Sequence, residues 1–241
     1  MPTTRLSVNL NKVALIRNAR GGHIPDLIAM AEHCEASGAN GITVHPRPDE
    51  RHIRYQDVEN LKHMVTTELN VEGNPTQVFM RLMESVRPHQ VTLVPDEAGA
   101  LTSDAGWDTQ QQGERLRQVT QALHNWGCRV SVFVEPHPKN IEEAAQCGVD
   151  RVELYTGPYA RRYAEQRQEI IENYVHAAHK ALELGLGVNA GHDLNRDNLA
   201  YFKQHMPQLH EVSIGQALVA DALYFGMQNT IQMYQRLLSV S

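Results

Sequence analysis

The sequence predicts an α/β protein: one closed (β/α)8 barrel of the TIM type, with residues 1–241 forming a single domain. Three observations predict it. Short runs rich in Val, Ile and Leu alternate with longer helical patterns along the whole chain. The helical patterns repeatedly stop on Gly just before the next run, in SGANGITV, WGCRVSVFV, CGVDRVELY and LGLGVNAG. The length of 241 residues is close to the ~250 typical of such barrels. No linker or charge block divides the chain, and the GxGxxG fingerprint of an open dinucleotide-binding sheet is missing.

The predicted elements follow in order. Leu6–Asn11 is the first strand. A helix over Ile24–Ser37 repeats Ile24, Leu27, Ile28, Ala31 and Cys34 at three- and four-residue steps and stops at Gly38. Gly41–His45, Leu69–Glu72 and Val91–Pro95 are the next three strands, with segments of helical character between. Asp96–Asp108 is polar and too long for a minimal turn, which makes it a candidate lid. Gly113–Trp126 is a helix, carrying Leu116, Val119, Leu123 and Trp126. Arg129–Glu135 is strand five, Ile141–Cys147 a helix, and Arg151–Thr156 strand six. Ile170–Leu184 is a helix ending at Gly185, before strands Leu186–Gly191 and Glu211–Gly215. Near-continuous apolar strands imply burial on both faces, hence a parallel sheet under helices.

Composition narrows the function. The chain has 22 Lys+Arg against 28 Asp+Glu, a net charge of −6. That excludes a generic nucleic-acid binder, which needs a basic face, but leaves small phosphate ligands open. Cys34, Cys128 and Cys147 are widely spaced, without CxxC or zinc patterns, and read as buried reduced thiols. Met1–Leu10 carries no apolar run of signal-peptide length, and no stretch approaches the ~20 apolar residues of a membrane helix. A cytoplasmic protein is expected.

In a barrel of this kind the chemistry sits at the C-terminal strand ends. His45 and His192 end strands two and seven, and imidazoles move protons near neutral pH. Glu72 and Glu153 end strands three and six; at the mouth of an apolar barrel a carboxylate gains a raised pKa and basic character. The plain alternative for Glu153 is an ion pair with Arg151. Arg47 and Arg51 follow strand two, and Arg47, beside His45, is the better phosphate fork. Asn189–Asp193 and Ile214–Ala217 follow strands seven and eight, where such barrels cradle phosphate on backbone N–H groups.

Taken together, Val8-Asn9, Arg17–Gly21, Gly41–His45, Arg51–Ile53, Leu93–Pro95, Thr156–Ala160, Asn189–His192 and Ile214-Gly215 resemble the pyridoxine 5′-phosphate synthase family over essentially the whole chain. The resemblance implies condensation of 1-deoxy-D-xylulose 5-phosphate with 3-amino-2-oxopropyl phosphate. It implies no metal or organic cofactor, and a cytoplasmic homo-octamer without nucleic-acid or membrane partners. By motif position, His45 and Glu72 are proton acceptors, His192 the proton donor, and Glu153 stabilises charge. Asn9, Arg20, Asp193, Gly215 and Gln216 hold the amino-ketone phosphate; Asn11, Lys12, Arg47, His52 and Thr102 hold the pentulose phosphate.

The chain departs from the family pattern in three places. Asn11-Lys12 stands where Asp-His is commoner, Asp193 where Gly is common, and Gln216 where His is frequent. The rival readings are another phosphosugar-processing barrel enzyme and a phosphosugar-binding barrel without catalysis. A Schiff-base aldolase would want a Lys inside the barrel, whereas Lys12 stands at the mouth.

Overall fold

The computed structural model describes residues 3–96 and 103–239. Eight parallel strands close on themselves in sequence order: β1 (Arg5–Asn9), β2 (Gly41–Val44), β3 (Leu69–Gly73), β4 (Gln90–Leu93), β5 (Arg129–Val134), β6 (Arg151–Leu154), β7 (Gly187–Ala190) and β8 (Glu211–Ile214). The seam pairs β1 with β8, from Arg5 opposite Glu211 to Val8 opposite Ile214. The predicted (β/α)8 barrel is therefore the fold.

Around it run α1 (Asn11–Asn18), α2 (Leu27–Ala36), α3 (Tyr55–Met64), α4 (Gln77–Val86), α5 (Thr109–Asn125), α6 (Pro138–Gln146), α7 (Gly157–Glu183), α8 (Leu199–His205), α9 (Gln216–Phe225) and α10 (Met227–Ser239). The predicted boundaries shift where side chains cap. β1 ends at Asn9 rather than Asn11, because the Asn9 Oδ1 accepts the Asn11 N–H at 3.0 Å and turns the chain into α1. α2 begins at Leu27, not Ile24, since Asp26 accepts the N–H groups of Ile28 and Ala29. Asp108 accepts the Gln111 N–H and starts α5 ahead of Gly113. α7 reaches back to Gly157, with Pro158 in its first turn and non-helical backbone at Gln166.

The apolar core lies between the strands and the helices. Leu6, Val8, Ile42, Val71, Val132, Val152, Val188 and Val212 are fully buried, and so are Leu61, Met83, Leu116, Ile141 and Phe202 from the helices. Each such side chain contributes roughly 1.5–3 kcal/mol on burial.

The expectation of strands apolar on both faces, with carboxylates at an apolar mouth, is corrected here. Register pairs Ser7 with Ser213, Thr43 with Asn70, Thr92 with Ser131, and Glu153 with Asn189. These alternate with the apolar residues along each strand, so they share the inner face. The lumen is thus polar: Ser7 and Thr43 hydroxyls lie 2.6 Å apart, and Thr92 donates to Asn70 Oδ1 at 3.0 Å. The apolar runs misled because the small polar residues between them are few per strand. At the N-terminal end, Glu68 pairs with Arg5 at 2.6 Å and with Arg129, Arg129 donates to Gln90, and Arg151 donates to Asn189. Arg151 therefore bonds across to β7, and no ion pair to Glu153 lies among the described residues.

Candidate active site

The C-terminal ends of the strands surround a cavity of about 370 Å³, within the range of ~300–1,000 Å³ usual for small-molecule sites. Asn9 at the end of β1 contributes twice. Its Nδ2 donates to Glu72 Oε2 at 3.4 Å, while its Oδ1 holds the start of α1. Asn11 Oδ1 in turn accepts the His45 N–H at 2.8 Å, tying β2 to α1. His45 Nδ1 and Glu72 Oε2 stand 3.9 Å apart.

Burial sorts the charges. It pushes His45 well below the usual imidazole range, helped by the Arg47 charge, so the His45–Glu72 contact is not an ion pair. Glu72 is raised to about 7, chiefly by burial and against the pull of the His192 cation. Glu153, 4% exposed inside the lumen, is raised well above the carboxylate range by burial and by Glu72 and Glu211. His192 goes the other way: burial opposes its charge, but Asp193 Oδ2 at 2.7 Å from its Nδ1, with Glu72 and Asp96 beyond, raises it.

The anion-binding groups flank this core. His52 is lowered to about 4, mainly by burial, with Arg47 and Lys12 adding to it. Its Nδ1 accepts the Ile53 N–H at 2.9 Å, so the neutral ring carries its proton on Nε2. Arg47 pairs with Asp96 at 2.6 Å, both side chains buried, and the Ser103 hydroxyl donates to the same Asp96 oxygen at 2.5 Å. Gly215 is the N-cap of α9 and can offer no side-chain cap, while at α1 the N-cap residue Leu10 makes none and Asn9 Oδ1 takes the Asn11 N–H. Both helices begin on the cavity wall, through Asn11 and Lys12 and through Gln216.

Gly191 is required by packing: a Cβ there would lie 2.1 Å from the Ser213 carbonyl oxygen. His192 beside it has φ +27°, in the left-handed region.

Of the residues expected from sequence, Asn9, Asn11, Lys12, His45, Arg47, His52, Glu72, Glu153, His192, Asp193, Gly215 and Gln216 all line the cavity. Arg20 sits in the exposed turn after α1, away from the lining. Thr102 lies outside the described residues, as does part of the candidate lid. The described remainder of that segment is anchored, with Trp107 buried and its Nε1 donating to the Leu93 carbonyl at 2.9 Å. Leu15, Arg51, Ser103 and Ser213 also line the cavity. Ser213 was findable as the residue two before Gly215 on one strand. The Arg47–Asp96 pair was not, since 49 residues separate its members.

His45, Glu72, Glu153 and His192 converge on one cavity, where burial pushes His45 down and Glu153 up, raises Glu72 to about 7, and Asp193 pushes His192 up; such a set defines an acid–base enzyme on a (β/α)8 barrel. The family profile described as pyridoxal phosphate biosynthesis protein PdxJ matches residues 6–240, and the chain belongs to that family. It is 55% identical over 232 residues to pyridoxine 5′-phosphate synthase of Porphyromonas gingivalis, covering 96% of this chain and 98% of that one. It is 57% identical to pyridoxine 5′-phosphate synthase of Cytophaga hutchinsonii, covering 97% and 98%. Among solved structures, phosphoribosylanthranilate isomerase of Thermotoga maritima matches with TM-score 0.59 at 12% identity, covering 98% of each chain. Tryptophan synthase of Mycobacterium tuberculosis matches with TM-score 0.65 at 14% identity, covering 99% of this chain and 94% of that one. These two share the fold alone. Among the described residues no helix is long and apolar enough to cross a membrane.

Proposed function

We propose that the chain is a transferase of vitamin B6 biosynthesis that condenses 1-deoxy-D-xylulose 5-phosphate with 3-amino-2-oxopropyl phosphate. The products are pyridoxine 5′-phosphate, phosphate and water. Full-length relatives at 52–57% identity carry the name of this synthase. The observation that carries the mechanism is the convergence of His45, Glu72, Glu153 and His192 on one cavity.

Ring closure requires imine formation, enolisation, carbon–carbon bond formation and loss of water, and each step moves protons. Neutral His45 and Glu72, poised near 7, accept protons at working pH. His192, held charged, delivers one to a leaving hydroxyl or phosphate. Glu153, whose burial favours the neutral carboxyl, stabilises developing oxyanions as a hydrogen-bond donor.

The N-termini of α1 and α9, both opening on the cavity wall, suit two phosphates. Gln216, Gly215 and the Asp193 N–H serve the amino-ketone phosphate with Asn9; Arg20 belongs to the same set by motif position. Asn11, Lys12, Arg47 and His52 serve the pentulose phosphate, with Thr102. The residues act without metal or organic cofactor. A Schiff-base aldolase is disfavoured, because Lys12, at the rim, is the one lysine lining the cavity among the described residues.

We further assign a cytoplasmic homo-octamer in which the chain is one domain. Leu223, Tyr224, Phe225, Ile16 and Ile24 are exposed apolar side chains that an assembly would cover. A stable monomer in sedimentation at micromolar concentration would overturn this. The function itself is tested by mixing the two phosphorylated substrates and following pyridoxine 5′-phosphate absorbance and phosphate release. Formation of a different product, or none, excludes the reading.

A further inference from the structure

We propose that Asp193 is a positioning residue for His192. Its carboxylate grips the imidazole Nδ1, fixes the ring's tautomer and orientation, and favours the charged form of the proton donor. The proposal rests on the reading of His192 as the donor.

The geometry is specific. His192 Nδ1 and Asp193 Oδ2 are 2.7 Å apart, although the two are sequence neighbours whose side chains normally diverge. The convergence comes from the backbone. His192 sits at φ +27°, a conformation costly for a non-glycine residue, which persists only when its surroundings enforce it. They do so here. Gly191 packs on the Ser213 carbonyl, where no Cβ fits. The Gly191 carbonyl accepts both the Thr156 hydroxyl at 2.8 Å and the Leu194 N–H at 2.8 Å. The Asp193 N–H reaches Thr156 Oγ1 at 3.4 Å, and the Asp193 carbonyl accepts from Asn198 Nδ2 at 3.3 Å. A four-residue turn is thus bolted to the ends of β6 and β8, with the carboxylate and the ring facing each other.

The surroundings agree. Phe133 and Tyr155 wall the ring at 6.4 and 6.1 Å between centroids, limiting water on that side. Arg161 of α7 faces Asp193 and helps hold it ionised. Glu72 on β3 and Asp96 after β4 also favour the imidazolium, whereas burial disfavours the charged forms of His45 beyond β2 and Glu153 on β6. With Nδ1 committed to Asp193, Nε2 is the nitrogen assigned to proton delivery.

The test uses Asp193→Asn, which preserves size, and Asp193→Gly, which removes the side chain. The His192 imidazole is titrated by NMR in ¹⁵N-labelled full-length protein, with His192→Asn to assign the signal. kcat and both KM values are followed against pH. In both variants the imidazole should lose its proton at lower pH than in the wild type. The loss of kcat at pH 8 should exceed that at pH 6 by about three- to tenfold, with both KM values changed less than about twofold. A merely structural role would lower kcat equally at all pH. An imidazole titration unmoved in both variants overturns the pair. A moved titration with an unmoved kcat profile overturns the positioning role. Wild-type turnover in His192→Asn is a separate result, and it would instead remove the donor reading on which the proposal stands.

Discussion

At Glu72 the requirements of catalysis and of folding oppose each other. A folded-state pKa raised to about 7 above the ordinary 4.5 means that ionisation is easier in the unfolded chain. The stability contribution of the neutral carboxyl is complete below about 4.5 and is lost as pH rises through 7. Glu72→Gln should therefore gain roughly 1–3 kcal/mol on the wild type between pH 4.5 and pH 8. Thermal melts at the two pH values measure it, and a difference of the opposite sign would show that Glu72 is held ionised. The same variant, and His192→Asn, should lose more than about tenfold in kcat with the far-ultraviolet circular dichroism unchanged. Lys12 lies at the start of α1 on the cavity wall, close enough to His52 to depress its pKa. Lys12→Ala should raise KM for the pentulose phosphate selectively, by roughly 1.5–3 kcal/mol. Equal changes for both substrates would place Lys12 outside that subsite. The identity of these residues was legible because each stands at a strand end in a recognisable motif. Their protonation states were not, since they depend on burial and on neighbours from other strands.

At the scale of elements, the strands were legible and their ends were not. Val, Ile and Leu facing the helices set each strand's centre, but termini were decided by side chains bonding back to the main chain. Asn9 shortened β1 in this way, and Asp26 and Asp108 reset α2 and α5. The polar lumen was also missed, because Ser, Thr and Asn at alternate positions read as interruptions in an apolar run rather than as a second buried face. The β7–α8 turn shows how tightly one element constrains another. Gly191→Ala would drive a methyl group into the main chain of β8. It should destabilise the fold by about 2 kcal/mol or more and lower kcat through His192. Urea denaturation at pH 7 checks the first effect; an unchanged midpoint would mean that β8 shifts freely.

For the whole molecule, the polar groups form three tiers along the barrel axis. Guanidinium and carboxylate groups lie at the N-terminal end, hydroxyl and amide groups in the middle, and imidazole and carboxyl groups at the cavity. The family match, over residues 6–240, runs from end to end of this arrangement. The lumen has a calorimetric consequence. Exposing apolar surface raises the heat capacity on unfolding, whereas exposing polar surface lowers it. An average chain of 241 residues would give about 3 kcal/mol/K per mole of chain. Unfolding here releases the side chains of Ser7, Thr43, Asn70, Thr92, Ser131, Glu153, Asn189 and Ser213 from the barrel's centre, where many barrels keep Val and Leu. The increment should fall below that average, and the stability curve should be correspondingly flat. Such a curve lets the enzyme hold its charged cavity closed to unfolding over a wide span of temperature, from the cold side as well as the warm.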